Sequence, residues 1–482
     1  MGASCMKSNT VMTDKRVIII GCSFAGLSLA EQLWDTHEVT IIDKNDFFEY
    51  ICTGTRSFVD DDHFDEISVS YVSMMKAHSQ RAEFVHGCLE EIFPEQNQIL
   101  IRNGNTKELE FRDYDFLVLC TGASYQSPTK SIDVNSIEER KSKLALEQEA
   151  IKRAKSILVV GAGPVGVETV GDLVSNINNQ SRPSQAGGIS QPHISQKRIG
   201  IVSRAPTLLP HFVPKAQDYA MKFMVKNKVD VYLNTTYDEN FKLEHQFDHV
   251  IMCMGAFYNI DYISRSTNPY LRDCLSEKGR VYVNNYLQVT NRNPLIKDDT
   301  LTQQQKSTSI RSLQELDDSR EESRFMLQQK TFQNIFCFGD AAQTSVNEEK
   351  TVFPLKICSE ICAKNIRALS TDEPIEVQRA NLKQIPERFD GIYQISLGSN
   401  DGIMLVNNFV ITGKLPVKFK RDYEELHMQK YTGDQKAKTK LNVYMKSTQA
   451  FLWACNTPCC QCCPCANQKR GPRPNDLKTK EQ

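Results

Sequence analysis

The amino-acid sequence predicts an α/β fold: two Rossmann-like dinucleotide-binding domains, one inserted into the other, plus a small C-terminal β-containing region. Three observations predict it. A β-branched strand runs into a glycine-bearing turn and a helix at residues 16–33, and the same order recurs from residue 156. Shorter strands that end on glycine follow each copy. A period-two apolar pattern then fills residues 391–431. The chain has 482 residues, enough for roughly three units of about 150 residues each.

The first copy opens with RVIII, ends its strand on Gly21, and switches to helical period through GCSFAGLSLAEQLW. HEVTII is its second strand and delivers Asp43, 22 residues after Gly21. Gly21 permits the tight turn, Ser23 stands where backbone nears a pyrophosphate, and Gly26 lets helix and sheet pack closely. The helix N-terminus offers unpaired N–H groups to phosphates, and a carboxylate at position 43 can accept both ribose hydroxyls.

The second copy is SILVV, then GAGPVGVETVGDL, then RIGIV, with Gly161, Gly163, Pro164 and Gly166 in the turn and Glu168 two residues on. Its second strand ends on Ser203-Arg204, with no carboxylate. An acid there favours NAD(H), whereas Arg204 can pair with a 2′-phosphate, so NADPH is tolerated or preferred unless Arg204 is only a solvated surface residue. Three strand-to-glycine pieces complete the pattern. DYDFLVLCTGAS places Thr121 and Gly122, FDHVIMCMGAF places Gly255, and FQNIFCFGDAA delivers Gly339 and Asp340 onto an expected helix. Glycine at such strand ends lets backbone approach a dinucleotide. Asp340 reads as a partner for a flavin's ribityl chain, or as a plain N-cap.

These pieces, in the order GCSFAG, Asp43, TRSFV, CTGAS, GAGPVGVE, CMGA, NIFCFGDAA, EEKTVFPLK, SLGSNDGI, resemble the apoptosis-inducing-factor-like, ferroptosis-suppressor flavoproteins, relatives of type II NADH dehydrogenases. The resemblance covers roughly residues 14–425. It implies an NAD(P)H:quinone oxidoreductase with non-covalent FAD. By position it implies that Gly21, Cys22, Ser23, Ala25 and Gly26 hold the FAD pyrophosphate, Asp43 the adenosine ribose, and Val85 the adenine through its backbone. Arg56 reaches the flavin side, Asp340 the ribityl, and Lys350, expected to open the helix after Asp340, lies near the flavin ring. Glu168 sits between the nicotinamide ribose and the isoalloxazine, so Glu168 and Lys350 are the expected catalytic residues. Ser23 departs from a third glycine, and the segment after Lys420 diverges from the family's aromatic C-terminal strand.

The implied layout is an N-terminal tail (1–13), an FAD-binding domain in two parts (14–127 and 257–372), an NAD(P)-binding domain between them (128–256), a C-terminal region (373–450) and a Cys-rich tail (451–482). Polar, low-complexity inserts at 176–197 and 296–331 read as loops outside the chemistry. Two other functions stay open. A disulfide reductase needs a paired C-x-x-C or C-x-x-x-x-C beside the flavin, but the expected region holds only Cys52, and Cys358 and Cys362 are spaced i, i+4. A flavin-holding signalling or assembly protein with low turnover is the other.

Composition narrows the partners. Lys+Arg number 58 against Asp+Glu 59, a net charge of −1 that gives no reason to expect nucleic acid. The hydrophobic share is 40% and mean hydropathy is −0.43, and no apolar run approaches the ~20 residues that span a bilayer. Val17–Ala30 lacks the features of a secretory signal. Of 16 cysteines, ten are scattered singly, as reduced buried thiols are, and six crowd between Cys455 and Cys465. No metal site is expected, although a metal cluster or free thiols remain alternatives for the tail. Acylation of Cys459, Cys460, Cys462 and Cys463, after the short apolar FLWA and a lysine-rich stretch, fits best. At the other end, Gly2 reads as a myristoylation site and Cys5 as a second acyl site, or both belong to a plain tail; Met6 stands where the motif asks for Ser or Thr. Together these place the chain on the cytoplasmic side of a membrane, as a peripheral protein, at the mitochondrial surface or a lipid droplet.

Overall fold

The computed structural model describes residues 12–78, 81–126, 128–130, 134–180, 197–295, 330–346, 351–389, 391–407 and 409–456. The chain divides into two compact units, one made of Met1–Asp46, His78–Ala123 and Tyr258–Phe389, the other of Phe47–Ala77, Ser124–Phe257 and Asp390–Gln482.

The first unit is built on an eight-stranded sheet. Arg16–Ile20 lies at its centre, parallel to Glu38–Asp43 on one side and to Phe116–Leu119 on the other. Thr331–Cys337 extends the parallel part beyond Phe116–Leu119. On the other flank Ala82–Phe93 continues parallel to Glu38–Asp43 and then turns back through an antiparallel meander, Gln98–Asn103 and Leu109–Asp113. Val17 to Ile20 are all buried, as a central strand covered on both faces requires. Helices Phe24–Leu33 and Val352–Leu369 pack on each other, tied by Ser28 Oγ and Ser359 Oγ at 2.7 Å. The sequence pattern predicts a helix starting at Asp340. Instead Gly339 and Asp340 form a turn into the short strand Ala342–Gln343, and the helix starts only at Val352.

The second unit holds a four-stranded parallel sheet in the order Asp230–Tyr232, Arg198–Val202, Ser156–Val160, His249–Met252. Every residue of Ser156–Val160 is buried. Helix Pro164–Gln180 contributes Val167, Val170 and Leu173 to a core shared with Ile201, Ile251, Ile395 and Leu405. The small antiparallel sheet expected from the period-two pattern over 391–431 is present as three strands, Ile392–Ser396, Gly402–Val406 and Phe409–Thr412, but the remainder of that stretch, from Lys414, is helical. It gives way at Lys414 to two long helices, Lys414–Tyr431 and Gln435–Asn456.

Segment 47–77, which the sequence layout puts in the first part of the FAD domain, clusters with the second unit. Side-chain bonds explain this: Thr55 Oγ1 donates to Asp172 at 2.8 Å, Gln148 to the Ser57 carbonyl at 2.8 Å, and buried Arg140 grips Glu49 with two bonds of 2.9 and 3.0 Å. Of the 176–197 insert, residues 176–180 continue the helix and 197 is described; the rest, like 296–329, lies outside the described residues.

Candidate functional site

In the first unit the glycine turn is sterically committed. Gly21 has φ +97°, and a Cβ there would run into the Cys120 carbonyl. A Cβ on Gly26 would overlap the Gly21 carbonyl oxygen, so strand, turn and helix close on one another only with glycine at both places. Ser23 caps the helix Phe24–Leu33 in extended conformation without a side-chain cap bond, and no acidic residue lies in the first turn. An anion at this helix end would therefore meet a positive dipole and N–H donors. Asp43 closes the turn from the neighbouring strand: Cys22 N–H donates to its Oδ2 at 2.6 Å and Asn45 N–H to its Oδ1 at 2.8 Å. Val85, buried, pairs with Ile42 one step before Asp43, on the strand that runs alongside it.

Two more glycines converge on this end of the sheet. Gly339, φ +84°, would place a Cβ 3.6 Å from that of Ala25, so the Gly339–Asp340 turn lies against the first fingerprint helix. Among the described residues no donor reaches the half-buried Asp340 carboxylate, which suits a ligand hydroxyl. Thr121 and Gly122 are held by residues that the sequence motifs do not include. Asn259 Nδ2 donates to the Thr121 carbonyl at 2.9 Å, Asn259 N–H to the Gly122 carbonyl at 3.1 Å, and Tyr262 hydroxyl meets Thr121 Oγ1 at 3.0 Å. These bonds are made by tertiary contact and leave no motif.

The second unit repeats the cradle. Gly161, φ +117°, would put a Cβ 2.6 Å from the Cys253 carbonyl, and Gly166 is pressed against the Gly161 carbonyl. Gly163, which precedes Pro164, and Gly255, φ +67°, face open space, where backbone can be approached from outside. Arg204 is exposed just beyond Arg198–Val202, as its place at a strand end predicts. Arg56 lies in the 3-10 helix Ile51–Phe58 of this unit. Lys350 lies outside the described residues.

Glu168 is held from two elements of the second unit. It is buried, accepts from Ser396 N–H at 2.9 Å and Ser396 Oγ at 3.2 Å, and forms an ion pair with Lys420. One turn later on the same helix, Asp172 is fully buried against Thr55, and burial pushes its carboxyl up to about 6. Sequence reasoning misses Asp172, Ser396, Thr55 and Lys420. Asp172 alone leaves a trace there, as an acid at the i+4 place of an otherwise apolar helix face. The SLGSN turn brings Ser396 in: Gly171 would place a Cβ 2.5 Å from Gly398 N, and Gly398, φ +77°, would crowd Ser175. Any side chain at either glycine would push strand Ile392–Ser396 away from Glu168.

Two independent glycine cradles, each at the end of a parallel strand, define the class: a chain with two Rossmann-like dinucleotide-binding units. Residues 15–293 match the family model described as pyridine nucleotide-disulphide oxidoreductase, and the chain belongs to that family. Relatives include apoptosis-inducing factor homolog A of Dictyostelium discoideum, 26% identical over 423 residues, covering 82% of this chain and 85% of that protein. Ferroptosis suppressor protein 1 of Xenopus laevis is 21% identical over 418 residues, covering 83% and 91%. Among solved structures, NDH2 from Plasmodium falciparum in complex with NADH superposes with TM-score 0.59 at 12% identity, covering 88% of this chain and 98% of that one. A sulfide:quinone oxidoreductase from Aquifex aeolicus superposes with TM-score 0.60 at 15% identity, covering 87% and 91%. These likenesses bear out the fold and the resemblance to the apoptosis-inducing-factor and ferroptosis-suppressor branch. The chain is an NAD(P)H-dependent flavoprotein oxidoreductase whose cofactors are FAD and NAD(P)H.

Proposed function

We propose that the chain oxidises NAD(P)H and reduces a quinone, ubiquinone-like in chemistry, at a membrane surface. FAD, when bound, accepts hydride from the nicotinamide and passes two electrons on. The first cradle, Gly21 to Gly26, would hold the FAD pyrophosphate at the helix end, with Asp43 toward the adenosine ribose, Val85 toward the adenine and Asp340 toward the ribityl hydroxyls. Thr121, Gly122 and Gly339 would let the backbone approach it. In the second unit Gly161, Gly163, Pro164, Gly166 and Gly255 would cradle NAD(P)H, Arg204 would meet a 2′-phosphate, and Arg56 would serve the flavin side. Glu168, fixed by Ser396 and Lys420, would orient the nicotinamide ribose. Lys350 keeps its assignment near the flavin ring as a proposal from the resemblance.

The observation that favours quinone over a disulfide substrate is the state of the thiols. Disulfide exchange needs an exposed, easily ionised pair. Here Cys358 and Cys362 are both fully buried, burial pushes the Cys362 thiol well above its ordinary value, and Cys52 is the one cysteine of its segment. The name of one structural neighbour, a sulfide:quinone oxidoreductase, points the same way.

No helix among the described residues is long and apolar enough to cross a membrane. We assign attachment to acyl chains at Gly2, Cys5, Cys459, Cys460, Cys462 and Cys463, all outside the described residues. Two or more lipid signals give durable anchoring where one is marginal. That would hold the chain as a peripheral protein on the cytoplasmic side of a membrane, such as the mitochondrial surface or a lipid droplet. The test is an absorbance titration of purified protein with anaerobic NAD(P)H, then with a short-chain ubiquinone. A yellow protein bleached by NAD(P)H and recoloured by the quinone is expected. A protein recoloured only by a disulfide, or never bleached, refutes the reading.

A further inference from the structure

Helix Lys414–Tyr431 carries a buried stripe of polar side chains. Lys420, Glu424, His427 and Tyr431 stand at i, i+4, i+7 and i+11, the spacing that puts side chains on one face. All four are nine-tenths buried or more. An interior helix face is normally apolar, because each buried polar group costs free energy unless it is bonded. Lys420, at one end, is paired with Glu168. Glu424, next, is 6% exposed, and its Oε2 is sealed from solvent with no hydrogen-bond partner among the described residues. His427 donates from Nδ1 to the Tyr423 carbonyl at 2.8 Å, so in the neutral ring Nε2 carries the lone pair.

The groups around Glu424 come from several elements. Tyr50 lies within electrostatic reach of Glu424, Tyr423, Tyr431 and Cys52, and its ring meets that of His427 at 5.6 Å. On the helix itself Tyr423 meets His427 at 4.3 Å, and on the outer side it meets Tyr444 of helix Gln435–Asn456 at 5.8 Å. Tyr444 lines a groove with Leu426 and Val443. His63 and Glu66, on the short helix His63–Ile67 that also packs here, are paired with each other. Beyond Lys420 lie Glu168, Ser396 and Asp172.

We propose that this stripe is the proton route of the reaction, with Glu424 relaying between His427 and the Lys420–Glu168 pair. The inference rests on the quinone reading above. The overall step is NAD(P)H + quinone + H⁺ → NAD(P)⁺ + quinol. NAD(P)H is oxidised and gives up a hydride, which carries two electrons and one proton. The quinone is reduced, its two carbonyls become hydroxyls, and the second proton must come from solvent. Within a buried carboxylate–lysine environment that proton needs titratable carriers. An imidazole whose Nδ1 is held by a carbonyl and a carboxylate whose Oε2 meets no hydrogen-bond partner among the described residues are suitable ones.

The test compares acceptors on the full-length, FAD-loaded protein. Ubiquinone-1 takes protons on reduction, whereas ferricyanide takes electrons alone. Glu424→Gln and, separately, His427→Gln should lower kcat for ubiquinone-1 roughly tenfold or more at pH 8 and less at pH 6. Ferricyanide turnover and the stopped-flow rate of bleaching by NAD(P)H should stay at the wild-type value. Glu424→Asp should recover part of the quinone rate. Unchanged quinone turnover across pH 6 to 9 in both variants overturns the relay while leaving the quinone reading intact. Parallel loss with ferricyanide and quinone also overturns it, since that is the mark of a structural role. Wild-type protein that reduces ferricyanide but no quinone removes the quinone reading, and the relay with it.

Discussion

Asp172 offers a prediction whose size follows from the structure. Its carboxyl is fully buried beside Thr55, and burial raises it from 3.8 to about 6, against the opposing pull of Arg56 and Lys420. In the unfolded chain the group regains its ordinary value. Between those two values the native state therefore holds the proton more tightly than the unfolded state. Stability is then lost as pH rises, fully present below about 4 and used up above about 6. A rise of that size corresponds to roughly 3 kcal/mol. Asp172→Asn keeps an oxygen that accepts from Thr55 but cannot ionise, so it should abolish that loss. The variant should match the wild type at pH 4 and gain on it up to pH 7. At about 2 to 4 °C per kcal/mol, the difference in melting temperature should grow by roughly 6 to 12 °C. Paired thermal melts of the two proteins from pH 4 to pH 8 measure it. A difference that does not change with pH, or a wild type that gains on the variant as pH rises, would show that Arg56 and Lys420 hold Asp172 ionised, and refute the reasoning.

Three further predictions address the proposed roles. Asp340→Ala removes a carboxylate that no described residue engages; loss of a charge-assisted bond of roughly 1.5 to 3 kcal/mol should weaken FAD retention about 10- to 150-fold, read from flavin fluorescence after dialysis. Full flavin occupancy in that variant would displace Asp340 from the ribityl. Arg204→Glu should raise KM for NADPH far more than for NADH by setting a like charge against the 2′-phosphate, and equal effects on the two would make Arg204 a bystander. Serine at Cys455, Cys459, Cys460, Cys462, Cys463 and Cys465 together should release the chain from membranes and spare turnover of a soluble quinone; a variant that stays on the membrane fraction would end the acylation proposal.

Both cradles are legible in the sequence because each is a local requirement. Gly21 and Gly26, like Gly161 and Gly166, meet carbonyls of their own strand–turn–helix unit or of the neighbouring strand, so sterics write them into a short motif. The antiparallel strands between Ile392 and Thr412 are legible as short apolar runs separated by turn-forming residues, although every residue of Gly402–Val406 is buried and no strict alternation marks that strand. Only the tertiary structure decided what surrounds Glu168. Ser396 and Lys420 lie 228 and 252 residues away in the chain, and Ser396 reaches it because Gly171 and Gly398 allow helix and turn to touch. No periodicity records such a meeting. The helix Lys414–Tyr431 was hidden for a related reason. Its buried face carries Lys420, Glu424 and His427, so the apolar stripe by which an amphipathic helix announces itself is partly replaced by charge. Local sterics leave a motif in the chain, whereas burial of distant polar partners is settled only when the strands and helices that carry them pack together.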